Sequence, residues 1–165
     1  MNELNAPVIR FRHAAAAAGV TKKTIRNWLV RGQISVDSPS EGWNTFTMLD
    51  LVRIATTAEL VKYGVGVLPA FMAAQSQVEN ATWRLSQYQN TPAAIVLHAF
   101  NGWRMFVQHT ETGLQFLHAK PGEEPAENWG PVSTLIIEMA PLVQLVVERL
   151  ANALDQDDSR DADED

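Results

Sequence analysis

The chain of 165 residues contains no cysteine. That absence excludes disulfide bonds, thiolate metal ligands and thiol catalysis together. Long apolar runs are absent too, because no stretch approaches the roughly 18 consecutive apolar residues of a membrane span. The opening segment MNELNAPVIRFR holds no apolar signal core either. We therefore expect neither export nor membrane insertion, and a cytoplasmic location.

Basic residues are few, with 13 Lys and Arg against 19 Asp and Glu, for a net charge of −6. The imbalance is uneven along the chain. Residues 1–65 carry eight basic and five acidic residues, residues 66–154 carry four and seven, and residues 155–165 carry one and seven. Because steering of a charged partner responds to local fields, the N-terminal part remains suited to a polyanion.

The last segment, DQDDSRDADED at residues 155–165, is strongly acidic. Blocks of like charge are usually solvated, so we predict a disordered acidic tail. A sharper alternative is that this tail mimics nucleic acid and competes for the basic surface of the same chain.

Two short helices joined by a tight turn are predicted near the N-terminus. The stretch RHAAAAAG ends at Gly19, a natural C-cap, and Thr21 is a good N-cap for a second helix over about residues 22–31, which Gly32 terminates. Helical spacing assigns Ile25, Trp28 and Leu29 to the buried face. The exposed face then carries Lys23, Arg26 and Asn27.

The following segment, QISVDSPSEGWNTFT at residues 33–47, has the turn residues and aromatics of a hairpin. Thr47 then caps a helix over 48–63, GVGVLP interrupts it, and a further helix is predicted over 70–88. Helix, turn, helix, hairpin and helix is the order of a winged helix-turn-helix. The second helix of such a unit lies in the DNA major groove.

The segment GVTKKTIRNWLVRGQI, followed by GWNTFTMLDLVRIATTAELVKYGV, resembles the DNA-binding domain of MerR-type regulators over about residues 9–72. The resemblance implies that Arg26 contacts phosphate, that Trp28 occupies the aromatic site of the family, and that Phe46 anchors the wing. Asn44 stands where the family's wing carries an arginine. The long dimerising coiled-coil helix of the family does not follow.

Lys and Arg hold DNA phosphates, whereas Asn can pair bidentately with adenine. The predicted DNA contacts are Lys22, Lys23, Arg26, Asn27, Arg31, Arg12 and Asn44.

The second half is predicted to hold three strands, over 93–100, 103–110 and 114–119, with Asn101-Gly102 as a hairpin turn. Apolar residues at helical spacing from Leu135 to Leu150 predict a C-terminal amphipathic helix, in which Pro141 would introduce a kink or start a second helix. The expected fold is α+β, a winged helix-turn-helix followed by a three-stranded antiparallel sheet and this helix. Its expected parts are a DNA-binding domain over 1–72, a connecting helix over 73–90, a dimerisation or sensing region over 91–154, and the tail.

His98, His109 and His118 fall on the three predicted strands. The hairpin register places His98 opposite Met105 on the face of His109, and His118 joins that face in only one register of the second turn. We interpret the face as core, with a metal or ligand role as the alternative. A small-molecule pocket lined by Trp83, Trp103 and Trp129 is a further alternative.

The sequence shows no phosphate-binding loop, catalytic triad or carboxylate pair, so we expect no enzyme, metal or cofactor.

The predicted function is sequence-specific binding of double-stranded DNA by a homodimeric, MerR-like transcriptional regulator. Two alternatives stay open. One is a phage or mobile-element factor, similar to an excisionase or a small terminase subunit, that recruits a partner enzyme. The other is a protein-interaction module.

Overall fold

The computed structural model describes residues 9–36, 45–83, 98–124 and 134–162, the last of these with side chains to residue 156. Over these ranges the fold is α+β. The strands are β1 (Ile9–Arg10), β2 (Thr45–Phe46), β3 (Arg104–Thr110), β4 (Gly113–Ala119) and β5 (Thr134–Glu138). The helices are α1 (Phe11–Ala18), α2 (Lys22–Val30), α3 (Met48–Lys62), α4 (Val67–Thr82) and α5 (Met139–Ala162).

The turn between α1 and α2 forms from local signals, as predicted. Gly19 adopts the left-handed conformation at φ +69°, and its N–H donates to the carbonyls of Ala15 and Ala16. The Thr21 hydroxyl oxygen accepts the N–H of Thr24 at 3.1 Å and so caps α2. The second helix ends at Val30, one residue earlier than predicted.

The first two strands form a short antiparallel ribbon, in which Ile9 pairs with Phe46. Phe46 is fully buried and meets the edge of the Phe11 ring, with the ring centroids 5.3 Å apart. Thr47 then caps α3 through a reciprocal box with Asp50, as its sequence position predicts. Residues 37–44, which hold most of the predicted hairpin, lie outside the described residues.

The sheet differs from the prediction in its third strand. The order of the strands is β4-β3-β5, so β3 lies between β4 and β5. The segment 134–138, which forms β5, is predicted as helix from its sequence. The strand predicted over 93–100 is wrong at its described end, because His98 and Ala99 are helical and a turn follows. Short apolar runs do not distinguish helix from strand by periodicity alone.

The Asn101-Gly102 turn therefore joins a helical turn to β3, and it does not connect two strands as predicted. Gly102 has a φ of +73°, and a Cβ there would approach Pro121 to 3.0 Å. The turn residues were identified correctly, whereas the element before them was not.

The C-terminal helix α5 begins at Met139, with Pro141 in its first turn, where a missing N–H costs nothing. Its backbone continues through Ala162, which corrects the predicted disorder for residues 155–162. No Gly or Pro interrupts 142–162, and extension of an established helix is much easier than its nucleation.

One buried cluster runs through both halves of the described chain. Helix α5 packs against α1 and α3, and α4 packs along α3. Met139, Val143 and Val146 of α5 belong to the same core as the alanines of α1, whose small side chains allow close helix approach. The predicted N-terminal domain and C-terminal region are thus built on a shared core.

Candidate nucleic-acid interface

Residues 9–36 form the most one-sided charged surface of the described chain. This stretch holds six basic residues and no Asp or Glu. All six side chains are exposed. They are Arg10, Arg12, Lys22, Lys23, Arg26 and Arg31. We call this set the basic face.

Burial of one side of α2 determines which residues project outward. Ile25, Trp28 and Leu29 are buried, as the helical spacing predicted. Trp28 is 9% exposed, so it is a core residue and does not offer a free ring for base stacking. The 3.6-residue period then turns the opposite side of α2 to the surface. The exposed residues there are Lys23, Arg26 and Asn27, and Lys22 is exposed at the first position of the helix.

Arg26 is held at the junction of α1 and α2. Its guanidinium carbon lies 5.8 Å from the centroid of the Phe11 ring, within the range of a cation–π interaction. Phe11 in turn contacts Phe46 of β2. The guanidinium is thereby positioned by the core while its side chain stays exposed, as a phosphate contact requires.

The remaining predicted contacts lie at the ends of the two helices. Arg12 is on the first turn of α1, where its Nε–H donates to His13 Nε2 at 3.2 Å. Arg31 is the C-cap of α2 and is exposed. Asn44 lies outside the described residues. The structure adds Arg10, which the sequence prediction omitted, beside Thr45 in the β1–β2 ribbon.

The start of α2 also favours an anion. Its first turn contains no acidic residue. The unpaired N–H groups of a helix N-terminus carry a partial positive charge and bind phosphate oxygens. Here that partial charge adds to the charges of Lys22 and Lys23, which lie on the same turn.

The three histidines do not converge. His118 pairs with Met105 and His109 pairs with Leu114, so both lie on one sheet face but four residues apart along the ladder. His98 lies in the helical turn before β3 and does not face Met105, which corrects the predicted register. Within 9–36, 45–83, 98–124 and 134–156, no group of three or more His, Asp or Glu residues is placed to bind a metal.

His118 instead belongs to the packing between β4 and α4. Its Nδ1–H donates to Oε1 of Gln77, a fully buried residue of α4. Removal from water lowers the pKa of His118 from its ordinary value of 6.5. The uncharged imidazole is therefore the form that the fold favours.

Two of the three tryptophans proposed for a pocket do lie together. Trp83 and Trp103 line a cavity of about 460 Å³, together with His98 and Lys120. Trp83 is more than half exposed, so this cavity is open. Trp129 lies outside the described residues.

The chain matches no protein-family model and none of the curated proteins. Its own residues, above all those of the basic face, therefore define the candidate interface. For the described helices, none has the length and apolarity that crossing a membrane requires.

Proposed function

We propose that this protein binds double-stranded DNA sequence-specifically, with α2 as the recognition helix of a MerR-like winged helix-turn-helix, and that it regulates transcription as a homodimer in the cytoplasm. One observation carries the proposal. Six basic side chains between residues 9 and 36 are all exposed, and the same stretch contains no carboxylate. A protein–DNA interface needs this local positive charge even where the net charge is negative.

The residues divide into two roles. Lys22, Lys23 and Arg26 bind phosphates and set the orientation of α2 on the duplex, since such contacts carry affinity but no sequence information. Asn27 projects from the same exposed side and reads a base edge, for which adenine offers the matching donor and acceptor pair. Arg12 and Arg31 extend the phosphate contacts to either side.

A second copy of the chain is the partner that we propose for the apolar surface around β5. Tyr63, Ile136 and Leu145 are 61%, 51% and 39% exposed and line one groove of about 370 Å³. Among the described strands, none pairs with the outer edge of β5. Antiparallel pairing of β5 with its twin about Ile136 would place each Glu138 opposite Thr134, without a like-charge contact. A two-fold dimer matches the symmetry of DNA half-sites.

DNA binding is tested by fluorescence anisotropy of a labelled random duplex with the full chain, at about 50 and 200 mM salt. We expect binding whose affinity falls steeply with salt. The triple variant Lys22→Ala, Lys23→Ala, Arg26→Ala is expected to lose this salt-dependent binding. Lys120→Ala, which removes an exposed lysine beyond β4, is the matched control. Absent or salt-independent binding by the wild type would contradict the proposal.

Sequence specificity and the dimer need their own measurements. Selection from a random duplex pool is expected to enrich a site with two inverted half-sites. Light scattering is expected to give twice the chain mass for the wild type and one chain mass for Ile136→Glu. Met72→Glu, at an exposed apolar residue of α4 outside the groove, is the control. Failure to enrich any site would contradict sequence-specific binding. A monomeric wild type would contradict the proposed dimer.

A further inference from the structure

The guanidinium of Arg149, on α5, occupies the space that a side chain at Gly19 would fill. A Cβ built on Gly19 would lie 2.5 Å from Arg149 Nη1 and 3.2 Å from its Cζ. Gly19 is exposed and lies in the turn that joins α1 to α2, two residues before the N-cap of α2. A residue of the C-terminal helix is thus seated on the helix-turn-helix itself.

The packing of α5 explains how Arg149 reaches this place. Met139, Val143 and Val146 are fully buried and form one stripe along the helix. Arg149 follows Val146 by three residues, so it continues the same stripe toward the end of α1. There the glycine at φ +69° leaves room for the flat guanidinium, and the apolar stripe ends in a cation.

Among the described side chains, no carboxylate pairs with Arg149, although a half-buried arginine is usually neutralised in this way. The residues three and four positions away on α5 are Leu145, Val146, Asn152 and Ala153. Over the described side chains, none of the ion pairs or side-chain hydrogen bonds involves Arg149. By contrast Arg104, the comparable arginine of β3, is held by Glu124 at 2.9 Å.

We propose that Arg149 is a DNA phosphate contact that the C-terminal helix adds to the basic face. Its guanidinium, on one side of the α1–α2 turn, and Lys22 and Lys23, at the start of α2, bind backbone phosphates flanking the groove that α2 enters. The planar fork of an arginine matches two phosphate oxygens and is less strongly hydrated than an ammonium group. This inference rests on the proposed DNA binding, and it makes the DNA surface a joint product of both halves of the chain.

The first test is the salt dependence of duplex binding by the full chain. Each phosphate contact contributes about 0.9 to the slope of log affinity against log salt. We expect Arg149→Gln to lower the slope by about that amount and Arg149→Lys, which keeps the charge, to preserve it. Arg104→Gln is the matched control and is expected to leave the slope unchanged. A melting curve is measured for each variant. A purely structural role of Arg149 would lower the melting temperature of Arg149→Gln and leave the salt slope unchanged.

The second test uses the wild-type chain, so it does not depend on the folding of a variant. Phenylglyoxal modifies accessible arginines, and mass spectrometry locates the modified residues. Bound duplex is expected to protect Arg149 and to leave Arg104 reactive. Salt-dependent DNA binding with Arg149 unprotected and a wild-type slope for Arg149→Gln would overturn this inference and leave the proposed function standing. Absence of DNA binding by the wild type would overturn both.

Discussion

Two surfaces of this molecule differ sharply although they cover one core. The stretch that contains α1 and α2, residues 9–36, exposes six basic and no acidic side chains. The C-terminal segments 98–124 and 134–156 together carry three basic and six acidic residues, and they expose Ile136 and Leu145. The first surface suits a polyanion and the second suits another protein. The difference teaches that surface chemistry distinguishes the two partners that we propose, DNA and a second copy of the chain, since the interior is common to both surfaces.

The largest expected effect comes from damage to that common interior. Phe46→Ala removes a fully buried ring and is expected to cost about 3–5 kcal/mol of unfolding free energy, whereas Met139→Ala, at the start of α5, is expected to cost about 2–5 kcal/mol. Urea unfolding measures both. Because the core is shared, Met139→Ala should also speed hydrogen exchange of the α2 amides.

Met72→Ala is the control for this pair. Met72 is 63% exposed on α4, so its replacement is expected to change stability by less than about 0.5 kcal/mol. Unchanged hydrogen exchange of the α2 amides in a destabilised Met139→Ala protein would show that the two regions are independent units.

The next largest effect is expected for the base recognition that we propose for Asn27, which projects from α2 beside the basic face. Asn27→Ala is expected to reduce discrimination between the selected site and random duplex by about 1–3 kcal/mol, because one bidentate base contact is lost. Competition binding with the two duplexes gives this difference directly. Equal losses on both duplexes would assign Asn27 to the backbone and contradict the prediction.

A smaller change is expected for Arg26→Ala, which removes one proposed phosphate contact and the contact with Phe11. The slope of log affinity against log salt should fall by about 0.9, with similar losses on specific and random DNA. Lys62→Ala is the control, because Lys62 is paired with Glu59 at the far end of α3. A wild-type slope in Arg26→Ala would show that this guanidinium serves packing alone.

The smallest effect concerns pH and the C-terminal region. Burial lowers the pKa of His118, so the unfolded chain binds its proton more readily than the folded one. The uncharged His118 side chain makes its full contribution to the unfolding free energy above pH 6.5, the pKa in the unfolded chain. That contribution is lost as the pH falls through the lowered pKa of the folded protein. The unfolding free energy of His118→Gln is expected to depend less on pH below 6.5 than that of the wild type. An identical acid dependence in both proteins would contradict this prediction.

Local signals account for the parts that were predicted correctly. Gly19 ends α1, Thr21 begins α2 and Thr47 begins α3, each through bonds within four residues of the cap. The outward direction of Arg26 and Asn27 follows from three buried neighbours on the same helix. Most of the candidate interface was therefore visible in the sequence, with Arg10 omitted because a two-residue strand carries almost no periodic signal.

The wrong predictions concern segments whose secondary structure depends on contacts with residues that are distant in the sequence. β5 is short and apolar, and it becomes a strand because β3 pairs with it across about thirty residues of chain. Because β4 and β5 occupy both edges of β3, His98 does not take the place opposite Met105 that its predicted register requires. The acidic end of α5 is helical because the helix was already established by packing at Met139, Val143 and Val146.

The sequence by itself determined the helix ends, the buried side of α2 and the concentration of positive charge in residues 9–36, because caps, helical period and charge act over a few residues. Only the tertiary structure decided that β5 completes the sheet, that His118 meets Gln77, and that Arg149 lies on Gly19. Those contacts join residues 26 to 130 positions apart, and they form because burying apolar stripes of α5 and the sheet selects one arrangement of the whole chain.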